Sequence, residues 1–227
     1  MKVAGADGAP GGWMVATAAL DARTPPEVSF HATLTDVVAE VGRSISHLVI
    51  DMPIGLSGDG VRPADDAARA RLGARRATFF PTPVRCVLDH DTFDAANAAS
   101  RTVSGRGLSM QSWNLVPKIR EVDSLVSSGQ HETILEGHPE SSFAEIAGAP
   151  LTTRKQTAEG RAERIGLLRD AVFTDIDDVL ASTPKRVDAI DALVLLWTAR
   201  RAAAGEAIRL GGELDRDPAG RPMWLTI

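Results

Sequence analysis

Cysteine is almost missing: Cys86 is the one thiol in 227 residues. Without a second cysteine there is no internal disulfide and no cysteine-rich zinc centre, and such usage points to a reducing, cytoplasmic setting. Long apolar runs are missing too. The opening "MKVAGADGAPGGW" reaches Gly5 and Asp7 before any sustained hydrophobic stretch, so it does not read as a signal peptide. No segment approaches the ~18 apolar residues of a membrane span. Positive charge is not in excess either. Lys and Arg number 25 against 30 Asp and Glu, a net charge of -5, which excludes a general grip on nucleic acid or an anionic membrane and leaves only local basic patches for that purpose. Repeats and low-complexity tracts are absent. What is present is ordinary globular composition, 44% hydrophobic and 24% charged, which suits one domain over 1–227 with an insertion, or two small ones. Composition leaves the oligomeric state open.

Along the chain, "KVAGADG" reads as a short buried strand, "APGG" as a turn and "WMVATAAL" as a returning strand, a hairpin with Asp7 at its mouth. A third strand, "EVSFHATL", leads into an amphipathic helix expected from about Thr35 to Arg43. "HLVI" then gives a buried strand ended by Asp51 and Pro53. Over 53–130 the texture changes to glycine, proline and arginine loops broken by short helices such as "DDAARARLGARR" and "VPKIREVDSLVSS", a long loop-rich helical insertion. Regularity returns with the strand "ETILEGH", the helices "PESSFAEI" and "TAEGRAERIGLLRDAV", a late apolar helix, and a closing pair of short strands around "DRDPAGRPMWLTI". A hairpin followed by strands alternating with helices indicates an α/β domain whose mixed sheet is covered on both faces.

The late helix, "KRVDAIDALVLLWTAR", has the apolar density of a core element yet carries Asp188 and Asp191. Three residues apart on one face, the two carboxylates repel and need a cation. Thr183 as N-cap and Pro184 as first helical residue would put Asp188 near the favourable end of the helix dipole. Asp191 lies beyond that reach, with Val194 and Leu195 at its forward neighbouring positions, so its partner must come from elsewhere in the fold. Distant basic side chains forming an ion-pair network are one answer, and a divalent metal is the other. Ligands of open α/β sheets gather at the carboxyl ends of strands, which collects Asp7, Asp51 and Glu136, with Asp188 and Asp191 added by a helix crossing the same edge. Carboxylates converging without histidine or cysteine suit Mg²⁺ or Mn²⁺, and two such ions about 4 Å apart can activate water and stabilise a leaving oxygen in phosphodiester cleavage.

The insertion contributes Arg62, Arg69, Arg71, Arg75, Arg76 and Arg85 against Asp65 and Asp66, with Phe79 and Phe80 among them. That pattern fits a patch that holds phosphates and stacks bases, or else a solvated helix face with both phenylalanines in the core. Glu140, in the first turn after "HP", is a catalytic candidate or a dipole partner, and His138 beside it a proton shuttle or a structural histidine. The loop "SGRGLSMQSW" places Gln111 where backbone can approach a ligand, without P-loop spacing, and Lys118 follows as a further substrate contact. Lys155 can meet a phosphate or pair with an acidic residue of the site.

"GADGAPGGW", "IDMPIGL", "RRATFFPTPVR", "GLSMQSWNLVPKIREVD", "EGHPESSFAEIAG" and "DAIDALVLLWTARR" together resemble the domain-of-unknown-function family 429, whose members are described as predicted nucleases of the ribonuclease H-like superfamily. The resemblance spans nearly the whole chain and implies a ribonuclease H-like fold and a Mg²⁺- or Mn²⁺-dependent nuclease acting on nucleic acid. The last motif is similar to the Asp-x-x-Asp-Ala-Leu helix of Holliday-junction resolvases, which implies Asp188, Asp191 and Asp7 as metal ligands. Resolvases place a glutamate on the fourth strand, where the nearest counterpart here is Asp51, one carbon shorter. Sugar kinases and actin-like ATPases share the fold class and bind phosphate through an Asp-x-Gly turn that "ADGAPGG" resembles, which keeps a nucleotide-binding phosphotransferase open beside the nuclease. A non-catalytic binding module on the same fold is the third reading.

Overall fold

The computed structural model describes residues 1–20, 25–41, 45–126, 133–171, 176–181, 183, 185–212 and 214–227. The chain divides into two compact units: Met1–Met52, Glu132–Ile208 and Thr226–Ile227 form one, Pro53–His131 and Arg209–Leu225 the other.

The first unit is built on β1 (Lys2–Ala9), β2 (Gly12–Ala19), β3 (Glu27–His31), β4 (Ile45–Ile50) and β5 (Ile134–Glu136), in the spatial order β3-β2-β1-β4-β5. β1 pairs antiparallel with β2 and parallel with β4, which pairs parallel with β5, so the sheet is mixed. Pro10 and Gly11 turn the hairpin, with Gly11 at φ 82°, a conformation only glycine takes without cost. The helix after β3, α1 (Leu34–Val41), packs on β2 and β3. The expected last residue of that helix, Arg43, lies outside the described residues.

Side chains alternate across a strand, so Val3, Gly5, Asp7 and Ala9 share one face of β1. That face carries the main helix, numbered α8 (Arg186–Ala204) after the helices described below, and with it a core of Val3, Ala9, Met14, Ala16, Val49 and the run Ala189–Leu196 apart from Asp191. Gly5 decides how closely α8 lies: a Cβ there would run into the backbone nitrogen of Leu196 and the carbonyl oxygen of Ala192. Gly137 does the same one strand over, where a Cβ would meet Val49 and Leu195. The start of α8 differs from expectation. Its N-cap is Lys185, at φ 56° and ψ 51°, while the Thr183 hydroxyl donates back to the carbonyl of Val179 and so closes the preceding helix instead. Pro184 lies outside the described residues. Against α8 pack α5 (Pro139–Ala147), α6 (Ala158–Ala171) and α7 (Ile176–Ala181).

The second unit is helical. It holds α2 (Pro63–Leu72), a 3-10 turn at Gly73–Thr78, another at Arg85–Asp89, α3 (Phe93–Ser104) and α4 (Met110–Leu125). Val84, Val87, Ala96, Leu108 and Val116 form its apolar centre, with Phe93 and Trp113 edge to face at 6.3 Å. The glycine loop expected around Gln111 is shorter than it looks in sequence. Ser109 accepts a hydrogen bond from the Ser112 N–H and starts α4 at Met110, which places Gln111 exposed in the first helical turn and carries the helix through Pro117. The expected closing pair of short strands is present as a two-stranded sheet of β6 (Arg209–Leu210) and β7 (Leu225–Thr226), and between them Asp217 Oδ1 accepts from the N–H groups of Ala219 (2.9 Å) and Arg221 (2.8 Å). Among the described residues no helix is long and apolar enough to cross a membrane.

Candidate functional site

Register alone brings the first two carboxylates together. Ala6 of β1 lies opposite Ile50 of β4, and the Asp51 N–H donates to the Ala6 carbonyl at 2.9 Å, so Asp51 continues β4 beside Asp7 and on the same face. Their carboxyl groups act directly on each other. Because Gly5 lets α8 press onto β1, Asp191 enters the same pocket and is fully buried, with Asp188 one turn earlier at its half-buried rim. Glu136 does not join. Ile50 is opposite Glu136 and Val49 opposite Leu135, so alternation turns Glu136 to the other face and leaves Gly137 on the α8 side.

The cation for Asp191 arrives from 36 residues upstream: Lys155 Nζ donates to Asp191 Oδ2 at 2.5 Å. Its loop, between α5 and α6, is fixed in place. Thr157 Oγ1 accepts from the Gly160 N–H at 3.0 Å and caps α6, a Cβ on Gly160 would strike the carbonyl of Arg154, and Arg164 donates to both the Thr153 carbonyl and hydroxyl. Asp191 Oδ1 is buried without a hydrogen-bond partner.

These surroundings set the charges. Burial first, then the nearby Asp191 and Asp51 carboxylates, hold the Asp7 carboxyl well above its ordinary range. Burial likewise raises Asp51 to about 7 although Lys155 opposes it, and raises Asp191 against the same lysine. Burial also raises the rim residue Asp188, opposed by Lys155 and Lys185. Burial on its own would depress the Lys155 ammonium, but Asp191, Asp7 and Asp51 overcome it and hold the group above its ordinary value. Two buried carboxylates, Asp7 and Asp191, and the half-buried Asp51 thus face the Lys155 ammonium. The surplus of negative charge has to be met by protons or by another cation, since unpaired charge away from water costs several kcal/mol per ion.

The other candidates divide by what they touch. Glu140 is buried against Arg164, whose Nη2 donates to both carboxylate oxygens at 2.8 Å; Arg164 is itself fully buried and stacks over Phe143. That pair gives Glu140 a cation within the first unit, outside the Asp7–Asp51–Asp191 cluster. His138 caps α5, its Nδ1 accepting from the Ser141 N–H at 3.2 Å. In the second unit, Arg62 is 1% exposed, and its guanidinium donates to Asp65 and to the carbonyls of Ile54 and Gly55. Arg85 Nη2 reaches Asp123 Oδ1 at 2.9 Å and Asp217 Oδ2 at 2.5 Å. Arg75 is half-buried and Arg76 exposed on the 3-10 turn, and the paired phenylalanines split, Phe79 buried and Phe80 45% exposed. Lys118 is half-buried on α4. The residues that sequence reasoning missed are those that place others: Gly5 for Asp191, Gly160 for Lys155 and Arg164 for Glu140. A glycine two residues before a strand-end aspartate was the available signal for Gly5.

A family model described as protein of unknown function (DUF429) matches residues 5–216. The chain belongs to that family. No curated protein and no solved structure matches it. Within this DUF429 chain the matched span takes in Asp7, Asp51, Lys155, Asp188 and Asp191 together.

As a test for a metal, the donor set is all hard oxygen, carboxylates outnumber the Lys155 ammonium, and Asp191 Oδ1 is an orphan among the described residues; each suits Mg²⁺ or Mn²⁺. Among the described residues, however, no three Asp, Glu, His or Cys side chains stand ready as a metal cage. Asp7 and Asp51 act directly on each other, and one oxygen of Asp191 is given to Lys155. The donors therefore fit in kind and in charge, and side-chain rotation of Asp7 and Asp51 is needed to present them.

Proposed function

We propose that this protein is a metal-dependent hydrolase of phosphodiester bonds, a nuclease, whose Asp7, Asp51 and Asp191 carboxylates hold Mg²⁺ or Mn²⁺ with Asp188 at the rim. The observation that carries the reading is the uncompensated charge: three carboxylates from β1, the end of β4 and α8 share one pocket with the Lys155 ammonium. A bound divalent ion would supply Lewis acidity and lower the pKa of a coordinated water. The chain's own residues do the rest. Lys155 orients Asp191 so that Oδ1 faces away from the ion pair, and its ammonium adds fixed positive charge where a phosphate would carry negative charge. Lys155 stays protonated and so serves as an electrostatic group, not as a base. Arg75 and Arg76, with Phe80 exposed nearby in sequence, are candidates for phosphate and base contact beside Gln111 and Lys118.

The test is a Mn²⁺ titration of metal-stripped protein followed by melting temperature, together with Mn²⁺-dependent cleavage of labelled single- and double-stranded RNA and DNA. Wild type should be stabilised and should cut at least one substrate, and Asp7→Asn should do neither. No Mn²⁺ response in melting would sink the reading. A second reading, a non-catalytic binding module, is favoured by one observation, the Lys155–Asp191 pair, which gives Asp191 a cation without any metal. It requires wild type to ignore Mn²⁺ and Asp191→Asn to melt lower than wild type.

A further inference from the structure

We propose that Arg209 and Arg216, stacked on Trp224 in the second unit, form a grip for the phosphodiester backbone of a nucleic acid. The choice of nucleic acid among polyanions rests on the nuclease reading above; the grip itself does not.

Strand alternation builds the support. Met223 and Leu225 are buried, so Trp224 between them turns to the opposite face. Arg216 bridges Pro222, and Trp224 stands two residues further on, within diagonal reach of the Arg216 side chain. The guanidinium carbon of Arg216 lies 4.9 Å from the centre of the Trp224 ring, and that of Arg209, from β6, lies 4.6 Å from it. The ring is itself fixed. Its Nε1–H donates to the Gly212 carbonyl at 2.9 Å, and the Asp215 N–H closes the turn on the same carbonyl at 3.0 Å. The acidic neighbours of Arg216 are occupied elsewhere. The Asp215 carboxylate accepts from the Gly212 N–H at 2.6 Å, and Asp217 is buried against Arg85 and Arg221.

These two arginines are held differently from the others of the unit. Arg62, Arg85 and Arg221 give guanidinium N–H groups to the carboxylates of Asp65 and Asp123. Among the described residues, Arg209 and Arg216 give theirs to no acceptor, and both are exposed with a flat face against the ring. Stacking on an indole covers that flat face and leaves the N–H edge open, the edge that forks onto a phosphate. It also orders the cation beforehand, so less side-chain freedom is lost when an anion arrives. Two forks on one rigid support suit a ligand that repeats a single negative charge along a chain. The balance of the unit favours the same partner: Pro53–His131 and Arg209–Leu225 carry 13 Lys and Arg against 11 Asp and Glu, in a chain with 25 against 30 overall. Leu214, 92% exposed on the same turn, would also suit an anionic membrane, but one leucine offers far less apolar area than the helix faces that hold proteins to bilayers. Phosphate contacts carry no sequence information, so binding through this grip is indifferent to base identity.

The experiment follows the anisotropy of labelled single-stranded DNA of several base compositions against NaCl concentration, with the full chain in EDTA so that no cleavage intervenes. It compares wild type, Arg209→Gln with Arg216→Gln, and Trp224→Leu. Near 0.1 M salt the double variant should bind at least about tenfold more weakly, and its slope of log K against log salt should be shallower by about 1.4, the share of two single-strand phosphates. Trp224→Leu should bind more weakly with its slope kept, because both charges remain and lose their support. An unchanged slope in the folded double variant would overturn the grip, and equal binding by Trp224→Leu and wild type would overturn the role of the ring. Wild type that binds phosphatidylserine vesicles or polyglutamate and not the oligonucleotides would overturn the choice of partner. The nuclease reading fails separately: wild type that ignores Mn²⁺ in melting, with the slope lost in the double variant, keeps the grip and loses the nuclease, and Mn²⁺-dependent cleavage with an unchanged slope does the reverse.

Discussion

The two units bury charge in opposite ways. In the second, Arg62 and Asp65 close on each other, and Arg85, Arg221, Asp123 and Asp217 form a network with as many cations as carboxylates. Its spare lone pairs are used: Asp217 also accepts from the N–H groups of Leu56, Ala219 and Arg221. Among its described residues the first unit contains pairs of the same kind, Glu140 with Arg164 and Glu145 with Arg201. Its other cluster sets the Asp7, Asp51 and Asp191 carboxylates around Lys155, and among the described residues one oxygen of Asp191 has no partner. Networks that exist to hold a fold balance their own charge, because a stranded ion costs more than any geometric advantage returns. An imbalance kept in the interior marks a candidate site, and protons or a further cation have to meet it.

The comparison is broken most readily by removing one partner from each kind of cluster. Arg164→Ala and Asp217→Ala should each destabilise by about 3 to 5 kcal/mol in denaturant titration, with or without metal, because each strands buried charge in a balanced network. If either melts like wild type, balance is not what distinguishes structural charge here. Gly5→Ala comes next. A Cβ between β1 and the α8 backbone must push the helix off the sheet, at a cost of at least about 3 kcal/mol, and with it should go any response of melting temperature to Mn²⁺.

Asp7→Asn should do the reverse of the structural variants. Asp7, Asp51 and Asp191 all have carboxyl groups raised above their ordinary values, so the folded chain holds protons that the unfolded chain releases. The folded state binding more protons means that stability falls as pH rises, from the ordinary carboxylate value of 3.8 up through the Asp51 value of about 7. Metal-stripped wild type should thus melt roughly 5 °C lower near pH 8 than near pH 5, and Asp7→Asn should shrink that gap and melt no lower than wild type at the upper pH. A pH-independent melting curve for wild type between those values would remove the charge imbalance from the account. The smallest effect on stability belongs to Arg75→Ala with Arg76→Ala. The double variant should stay folded, and in nucleic-acid binding the slope of log K against log salt should shrink by roughly 1.5 to 2. Arg85 does not belong in that test, since its loss would unbalance the Asp123–Asp217 network.

Local pattern carried a large part of this molecule. The hairpin with Asp7 at its end, the buried strand running into Asp51, the helix bearing Asp188 and Asp191, and the change of texture at Pro53 are all matters of periodicity and turn chemistry between near neighbours, which one sequence displays. The lack of a local cation for Asp191 was legible for the same reason. Which cation came to it was not. Lys155 reaches Asp191 across 36 residues, through a loop whose path depends on Gly160 and Arg164, and Arg85 meets Asp217 across 132. Nor did Glu136 announce its face, because a strand's alternation is visible in sequence while the side that meets the helix is set by register with β4. Ion pairs between distant segments leave no periodic mark, since either partner alone looks like any exposed charge; only the packing of α8 onto Gly5 decided which carboxylates would be buried together and which would be answered.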